Sequence, residues 1–361
     1  MPYSGEREIP SAMSATETLY ERLLRPLLFA SGGGDPENVH HRVTAAAAAA
    51  PPALWRALLA LRPVPQRPVK LLGLDFPNPV GLAAGFDKEA ALLWPCAYAG
   101  FGFVEVGTVT LAPQPGNPRP RIFRRPEAAA LVNRMGFPSS GADAAVRRLS
   151  SPNRTRLPVP VGVNIGKNKA TPLEAAAEEY VRLLGLLAPY ADYVTVNVSS
   201  PNTPDLRRLQ EPERLAALLQ ALTEAARTLP RPVPVLVKLS PDLSEAELCD
   251  TLDVARAHAQ GVIATNTTIA RTEAQKAAGW PEGGVSGAPL RERAVAVVAA
   301  CRARLGPGFP LIGVGGIATA EDARAHLDAG ADLVQLYTAL IYRGPFLPRD
   351  IVRGLSKPAA G

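Results

Sequence analysis

Tyr193-Val-Thr-Val-Asn-Val-Ser-Ser-Pro-Asn-Thr203 runs a strand into a polar loop, and its reading decides the fold. The first six residues alternate valine with polar side chains, the period of a half-buried strand. The chain then breaks at Pro201, with Ser199, Ser200, Asn197 and Asn202 crowded around the break. Polar loops at strand ends are where barrel enzymes keep their chemistry. Asparagine offers donor and acceptor to an amide-containing ring, and serine can move a proton. The same residues can equally form a turn that satisfies only its own backbone.

Outward from this stretch, β-rich runs recur at 78–84, 103–109, 159–166, 233–240, 261–267, 310–317 and 332–339. Between most of them lie stretches rich in Ala, Leu, Glu and Arg and long enough for a helix, such as 174–187, 212–228 and 245–259. Eight strands alternating with helices predict a parallel sheet closed into a (β/α)8 barrel. A doubly wound open sheet is the competitor, but no GxGxxG opens a helix after the first strand. Parity sharpens the prediction. Val161, Val163 and Ile165 oppose Asn164; Val194, Val196 and Val198 oppose Asn197; Val235, Val237 and Leu239 oppose Lys238. The aliphatics are expected to face the helices and the polar residues the barrel interior. Three inward polar groups imply either a common ligand or a structural network, because unpaired burial is costly.

The chain has 361 residues, 47% hydrophobic and 20% charged, enough for one large core or two domains. Cys96, Cys249 and Cys301 lie far apart with no CxxC, which predicts no disulfide scaffold and no metal or iron–sulfur site. A net charge of +6 permits attraction to anionic surfaces, but the arginines are scattered apart from a short run at 119–125. Nucleic acid is therefore not an expected partner. No apolar run approaches the roughly 18 residues that span a bilayer.

Residues 1–15 mix acids and prolines and are expected to be disordered. Over residues 16–62, Leu19, Tyr20, Leu23, Leu24, Leu27 and Leu28 share one helical face, with Pro26 as a kink. After Gly32-Gly-Gly34, Asp35-Pro36-Glu37 caps a second helix that carries Val39, Val43, Ala46, Ala47 and Ala50 and stops at Pro51-Pro52. Pattern alone reads these two helices as a cap on a barrel formed by 63–361. A membrane-surface or apolar-ligand module is the alternative.

Further clusters fall at the expected strand ends: Ala84-Gly-Phe-Asp-Lys88, Thr108, Thr265-Asn-Thr267, Gly313-Val-Gly-Gly316 and Tyr337-Thr338. Asn133-Arg-Met-Gly-Phe137 lies in the long connection after the second strand. Each alone is weak, since a strand-end lysine is often a salt-bridge partner and a Gly-Gly pair a tight turn. A lysine at 88 or 238 could also serve as a Schiff base. Their joint placement is the signal.

With AGFDK, PQPGNPRPRIFR, NRMGF, NIGKNK, NVSSPNTP, VKLSPD, ATNTT, GGVSG and IGVGGI in this order, the chain resembles the dihydroorotate dehydrogenases, specifically the membrane-associated, quinone-dependent class 2. The resemblance implies oxidation of dihydroorotate to orotate in pyrimidine synthesis, with FMN as cofactor and a quinone as second substrate. It implies Ser200 as the base for the C5 proton; the soluble classes use Cys there. The substrate would be held by Lys88, Asn133, Arg134, Met135, Gly136, Phe137, Asn197, Asn202, Asn266 and Thr267. FMN would rest on Ala84, Gly85, Lys88, Thr108, Asn164, Asn197, Lys238 and Thr265, with Gly287, Gly316, Tyr337 and Thr338 around its phosphate. The resemblance also turns the two N-terminal helices into a membrane-lying quinone tunnel, with His40 and Arg124 toward the quinone head. A monomer, peripheral on the cytoplasmic side of the cell membrane, is expected. No histidine lies near Ser200 in sequence, so its activation is expected to come from water exclusion and a relay through Thr108 or Thr203.

Overall fold

The computed structural model describes residues 19–357, so the expectation of disorder over 1–15 lies outside the described residues. Eight parallel strands close into a barrel: β1 (Val80–Leu82), β2 (Phe103–Val109), β3 (Val161–Ile165), β4 (Tyr193–Asn197), β5 (Val235–Leu239), β6 (Gly261–Ala264), β7 (Leu311–Val314) and β8 (Leu333–Leu336). Each pairs with its sequence neighbours, and β8 pairs with β1 to close the ring. The (β/α)8 reading holds, and so does the parity. Val161, Val163, Ile165, Val194, Val196, Val235, Val237 and Leu239 all join the core between sheet and helices.

A second apolar cluster fills the lower end of the barrel, with Phe76, Phe103, Tyr193, Leu236, Ile263, Ile312 and Leu333. Two glycines make room for it. A Cβ on Gly81 would lie 2.3 Å from the Phe103 ring, and one on Gly162 would lie 2.1 Å from the Tyr193 ring. Phe76 comes from a hairpin, Val69–Leu71 against Leu74–Phe76, which turns through Leu72 and Gly73 at positive φ. The bottom is thus plugged by carbon, and open space is left at the top.

The upper end carries a three-stranded antiparallel sheet not foreseen from the sequence: Ile122–Arg125, Ala130–Asn133 and Gly284–Gly287. It turns part of the long connection after β2 into a wall of the cleft, with Asn133 at the strand end beside Gly284.

On the outside lie α1 (Arg25–Ala30), α2 (Pro36–Ala49) and α3 (Pro52–Leu61). Pro26 cannot donate, and its ring crowds the turn before it. That turn, Tyr20–Leu24, widens so that the Arg25 N–H reaches the Tyr20 carbonyl. Asp35 caps α2 as expected, its carboxylate accepting from the Glu37 N–H at 2.8 Å. α2 ends before Pro51 as expected, but Pro52 then starts a third helix, because proline at the first helical position gives up only an N–H that would be orphaned anyway. Leu19, Leu23, Leu24, Leu27, Val43, Leu54 and Leu61 on these segments are 45–85% exposed. No described helix is long and apolar enough to cross a membrane; α2 and α3 pass only as a pair, bent by 84°.

Candidate active site

The barrel interior above the apolar plug is organised around Glu105 on β2, which sequence reading passed over. Its carboxylate is fully buried and accepts from Asn164 Nδ2 at 2.8 Å, Gln335 Nε2 at 2.8 Å and the Tyr193 hydroxyl at 3.1 Å. A carboxylate can only accept, so it fixes the polarity of what lies above it. Asn164 must turn its amide nitrogen down and its oxygen up. That oxygen accepts from Thr108 Oγ1 at 2.6 Å and Asn197 Nδ2 at 3.1 Å. Asn197 in turn presents its oxygen to Asn266 Nδ2 at 3.3 Å. The ring of carboxamides is therefore oriented from below.

Asn197 and Lys238 are register partners at the top of β4 and β5. Lys238 is 5% exposed and makes no hydrogen bond or ion pair among the described residues. Burial pushes its ammonium below the usual lysine range, and the Glu105 charge pulls it back up. A buried cation with no partner facing a cleft calls for a ligand with an acceptor there.

The cleft opens above the ring of carboxamides. Ala84, Gly85, Lys88, Thr108, Asn133, Met135, Gly136, Phe137, Asn197, Ser200, Asn202, Lys238, Thr265, Asn266, Thr267, Gly287, Gly316, Tyr337 and Thr338 all line it. Two of the expected residues do not. Asn164 lies just below, joined to the lining through Thr108 and Asn197. Arg134 turns its side chain to the Pro120 carbonyl at 3.1 Å and over the Phe123 ring, so only its neighbours reach the cleft.

Ser200 is 6% exposed, and its Oγ accepts from the Asn202 N–H at 3.3 Å. Asn202 Nδ2 donates to Asn133 Oδ1 at 3.0 Å, which links the serine loop to the upper sheet. The histidines are elsewhere: none lines the cleft. His326 is buried in the helix Ala320–Asp328, its ring 2.9 Å from the Gly315 carbonyl. Of the two relay candidates, Thr108 is already engaged by Asn164 and Asn197, while Thr203 Oγ1 is buried with no partner.

A second cavity lies under α1 and α2 and shares Lys88, Asn133, Met135, Tyr337 and Arg343 with the cleft. Its walls are apolar: Leu24, Leu28, Phe29, Val39, Val43, Phe86, Leu92 and Leu340 among them. His40 and Arg124 are among its polar lining residues, with Tyr20, Thr44 and Asp350. The His40 ring meets Phe86 edge-on at 5.0 Å, and burial together with Lys88 lowers its pKa to about 3, so it is neutral. Arg124 lies 4.1 Å over the Phe29 ring and donates to the Phe29 and Gly34 carbonyls. Lys88, between the two cavities, is pushed down by burial and pulled back up by Glu37.

Three arginines of the basic run at 119–125, Arg119, Arg121 and Arg124, engage the N-terminal segment. Arg121 grips Glu37 of α2 through two hydrogen bonds, Arg119 adds an ion pair at 3.2 Å, and Arg125 stacks over Trp280.

Fold and cleft together define a (β/α)8 barrel with a polar cleft at the C-terminal ends of its strands and an apolar cavity beside it. A family model described as dihydroorotate dehydrogenase matches residues 67–358, and the chain belongs to that family. Curated relatives include the dihydroorotate dehydrogenase (quinone) of Anaeromyxobacter dehalogenans, 50% identical over 337 residues that cover 92% of this chain and 91% of the relative. The protein of the same name from Roseiflexus sp. is 50% identical over 344 residues, covering 93% of each. Among solved structures, Eimeria tenella DHODH in complex with ferulenol superposes with a TM-score of 0.81 at 35% identity, covering 92% of this chain and 93% of that one.

Proposed function

We propose that this chain oxidises dihydroorotate to orotate with FMN as its cofactor and passes the electrons to a membrane quinone. The observation that carries this reading is the adjacency of the two cavities: a polar cleft crowned by carboxamides shares a wall with an apolar channel opening among exposed leucines. The residues present fit FMN. Lys238 is a buried cation without a partner among the described residues, and Gly315 and Gly316, both at positive φ, keep backbone N–H groups that no described residue engages. When bound, FMN accepts the hydride from the substrate ring and supplies the two electrons that reduce the quinone.

The chain's own residues supply the rest. Ser200 takes the C5 proton as the hydride leaves the neighbouring carbon and the ring double bond of orotate forms. Asn133, Asn197, Asn202 and Asn266 pair with the ring amides, and Lys88 draws in the carboxylate. Met135, Gly136, Phe137 and Thr267 close around them. Lys238 would supply positive charge to the cofactor's ring. Ala84, Gly85, Thr108 and Thr265 would hold that ring, with Asn164 beneath them, and Gly287, Gly316, Tyr337 and Thr338 would hold its phosphate. Thr203, with its spare buried hydroxyl, is the better relay partner for Ser200 than Thr108.

Residues 16–62 form the quinone-channel extension and 63–361 the catalytic barrel. His40, neutral, and Arg124 offer hydrogen bonds to a quinone carbonyl. The exposed leucines of the extension seat the protein peripherally on the cytoplasmic face of the cell membrane. A single chain is proposed as the working unit. Dihydroorotate-dependent reduction of a soluble quinone tests the reading: it should proceed without added NAD, and turnover with NAD alone would refute it.

A further inference from the structure

Of the residues assigned to base and substrate binding, Ser200 and Asn202 sit on the loop after β4 and Asn266 and Thr267 on the loop after β6, and one guanidinium ties these two loops to each other and to the loop after β5. Arg207 belongs to the short turn Leu206–Gln210, which follows Asp205 at positive φ. Its Nε donates to the Ser199 carbonyl at 3.2 Å. Nη1 donates to Asp242 Oδ2 at 2.9 Å on the loop after β5, and Nη2 to the Thr267 carbonyl at 3.3 Å on the loop after β6. Asp242 completes the clamp by accepting from the Ile269 N–H at 2.9 Å and from the Thr268 hydroxyl. The pair is largely shielded, with side chains 25% and 17% exposed.

Ser200 itself lacks any side-chain partner among the described residues: its Oγ accepts only a backbone N–H. Its position is therefore set by the backbone on either side. The carbonyl immediately before it is the group that Arg207 holds, and the Ser199 hydroxyl accepts from Asn266 at 3.0 Å. We propose that Arg207, oriented by Asp242, is the positioning residue that sets the attack geometry of Ser200 against a substrate held by Asn266 and Thr267. This rests on the reading of Ser200 as base. Lysine could keep the charge opposite Asp242 but not the fork that reaches two carbonyls at once.

The test compares Arg207→Met, Arg207→Lys, Asp242→Asn and Ser200→Ala as flavin-loaded proteins under anaerobic conditions. The readouts are the bleaching rate at saturating dihydroorotate, its isotope effect with deuterium at C5, and the orotate dissociation constant from the flavin spectrum. Misplacing a reacting group by about 1 Å costs ~100-fold, so Arg207→Met should bleach ~10–100-fold more slowly. Its C5 isotope effect should rise while orotate affinity stays within about threefold. Arg207→Lys should recover part of the rate, and Asp242→Asn should fall between. A normal rate in Arg207→Met, or a loss confined to orotate affinity with an unchanged isotope effect, would overturn the clamp. If Arg207→Met does not hold flavin, the two milder variants decide by the same readouts. Normal bleaching in Ser200→Ala would remove the base assignment and the clamp with it; a slow Ser200→Ala beside a normal Arg207→Met would remove the clamp alone.

Discussion

Glu37 of α2 and Arg121 of the barrel form a two-pronged ion pair, 2.9 and 2.7 Å, with both side chains almost sealed from solvent. Arg121 also donates to the Pro115 and Asn117 carbonyls at 2.6 and 2.8 Å, so the loop and the helix share one anchor. Removing one partner of a buried pair costs about 3–5 kcal/mol when the other is left uncompensated; Glu37 keeps the half-exposed Arg119 at 3.2 Å, so the cost here should fall below that range. Arg121→Ala should therefore free α2, measurable as faster proteolysis between 30 and 61, and slow quinone reduction more than flavin bleaching by dihydroorotate.

Deleting residues 1–62 takes the apolar channel away without touching the barrel strands or the cleft floor. Bleaching by dihydroorotate should persist, with quinone turnover reduced at least ~10-fold, since binding energy for that substrate is lost. Unchanged quinone kinetics in the truncated chain would remove the channel assignment.

Ser200→Ala deletes only a hydroxyl whose one hydrogen bond among the described residues is from a backbone N–H. The variant should fold and hold flavin, while bleaching slows by ~100–10,000-fold, the usual worth of a general base. Stopped-flow absorbance measures it.

His40 should be silent as an acid in the quinone step. Its pKa is lowered to about 3 in the folded protein, against 6.5 for a free histidine. The unfolded chain takes up the proton first, so the stability linked to His40 is complete above about pH 6.5 and is lost as pH falls toward about 3. Chemical denaturation at pH 7 and pH 5 should show a smaller pH loss in His40→Phe than in the parent. An equal loss would mean that the ring is protonated in the fold.

The barrel was legible because three strands announce their parity: Asn164, Asn197 and Lys238 each stand among valines, and each points inward. Most of the cleft was legible for the same reason, since its residues occupy strand ends. Glu105 was not. It sits in Phe103–Val109 as one acid among apolar neighbours, and nothing local says that Tyr193 and Gln335, 88 and 230 residues away, satisfy it. Glu37–Arg121 and Arg207–Asp242 escaped likewise, because tertiary partners leave no periodic trace. Arg134 shows the converse: a motif residue whose neighbours line the cleft while its own side chain turns outward. The α3 helix was hidden by Pro51-Pro52, which reads as a stop and is also a start.

The central claim is a flavin barrel that takes electrons from dihydroorotate and gives them to a quinone. Anaerobic titration of the purified protein, first with dihydroorotate and then with a quinone, tests it most directly. The expected result is a visible flavin band that bleaches with dihydroorotate and returns with quinone but not with NAD. A folded, colourless protein that covalently traps a carbonyl substrate under borohydride would contradict it and make Lys88 or Lys238 a Schiff-base residue.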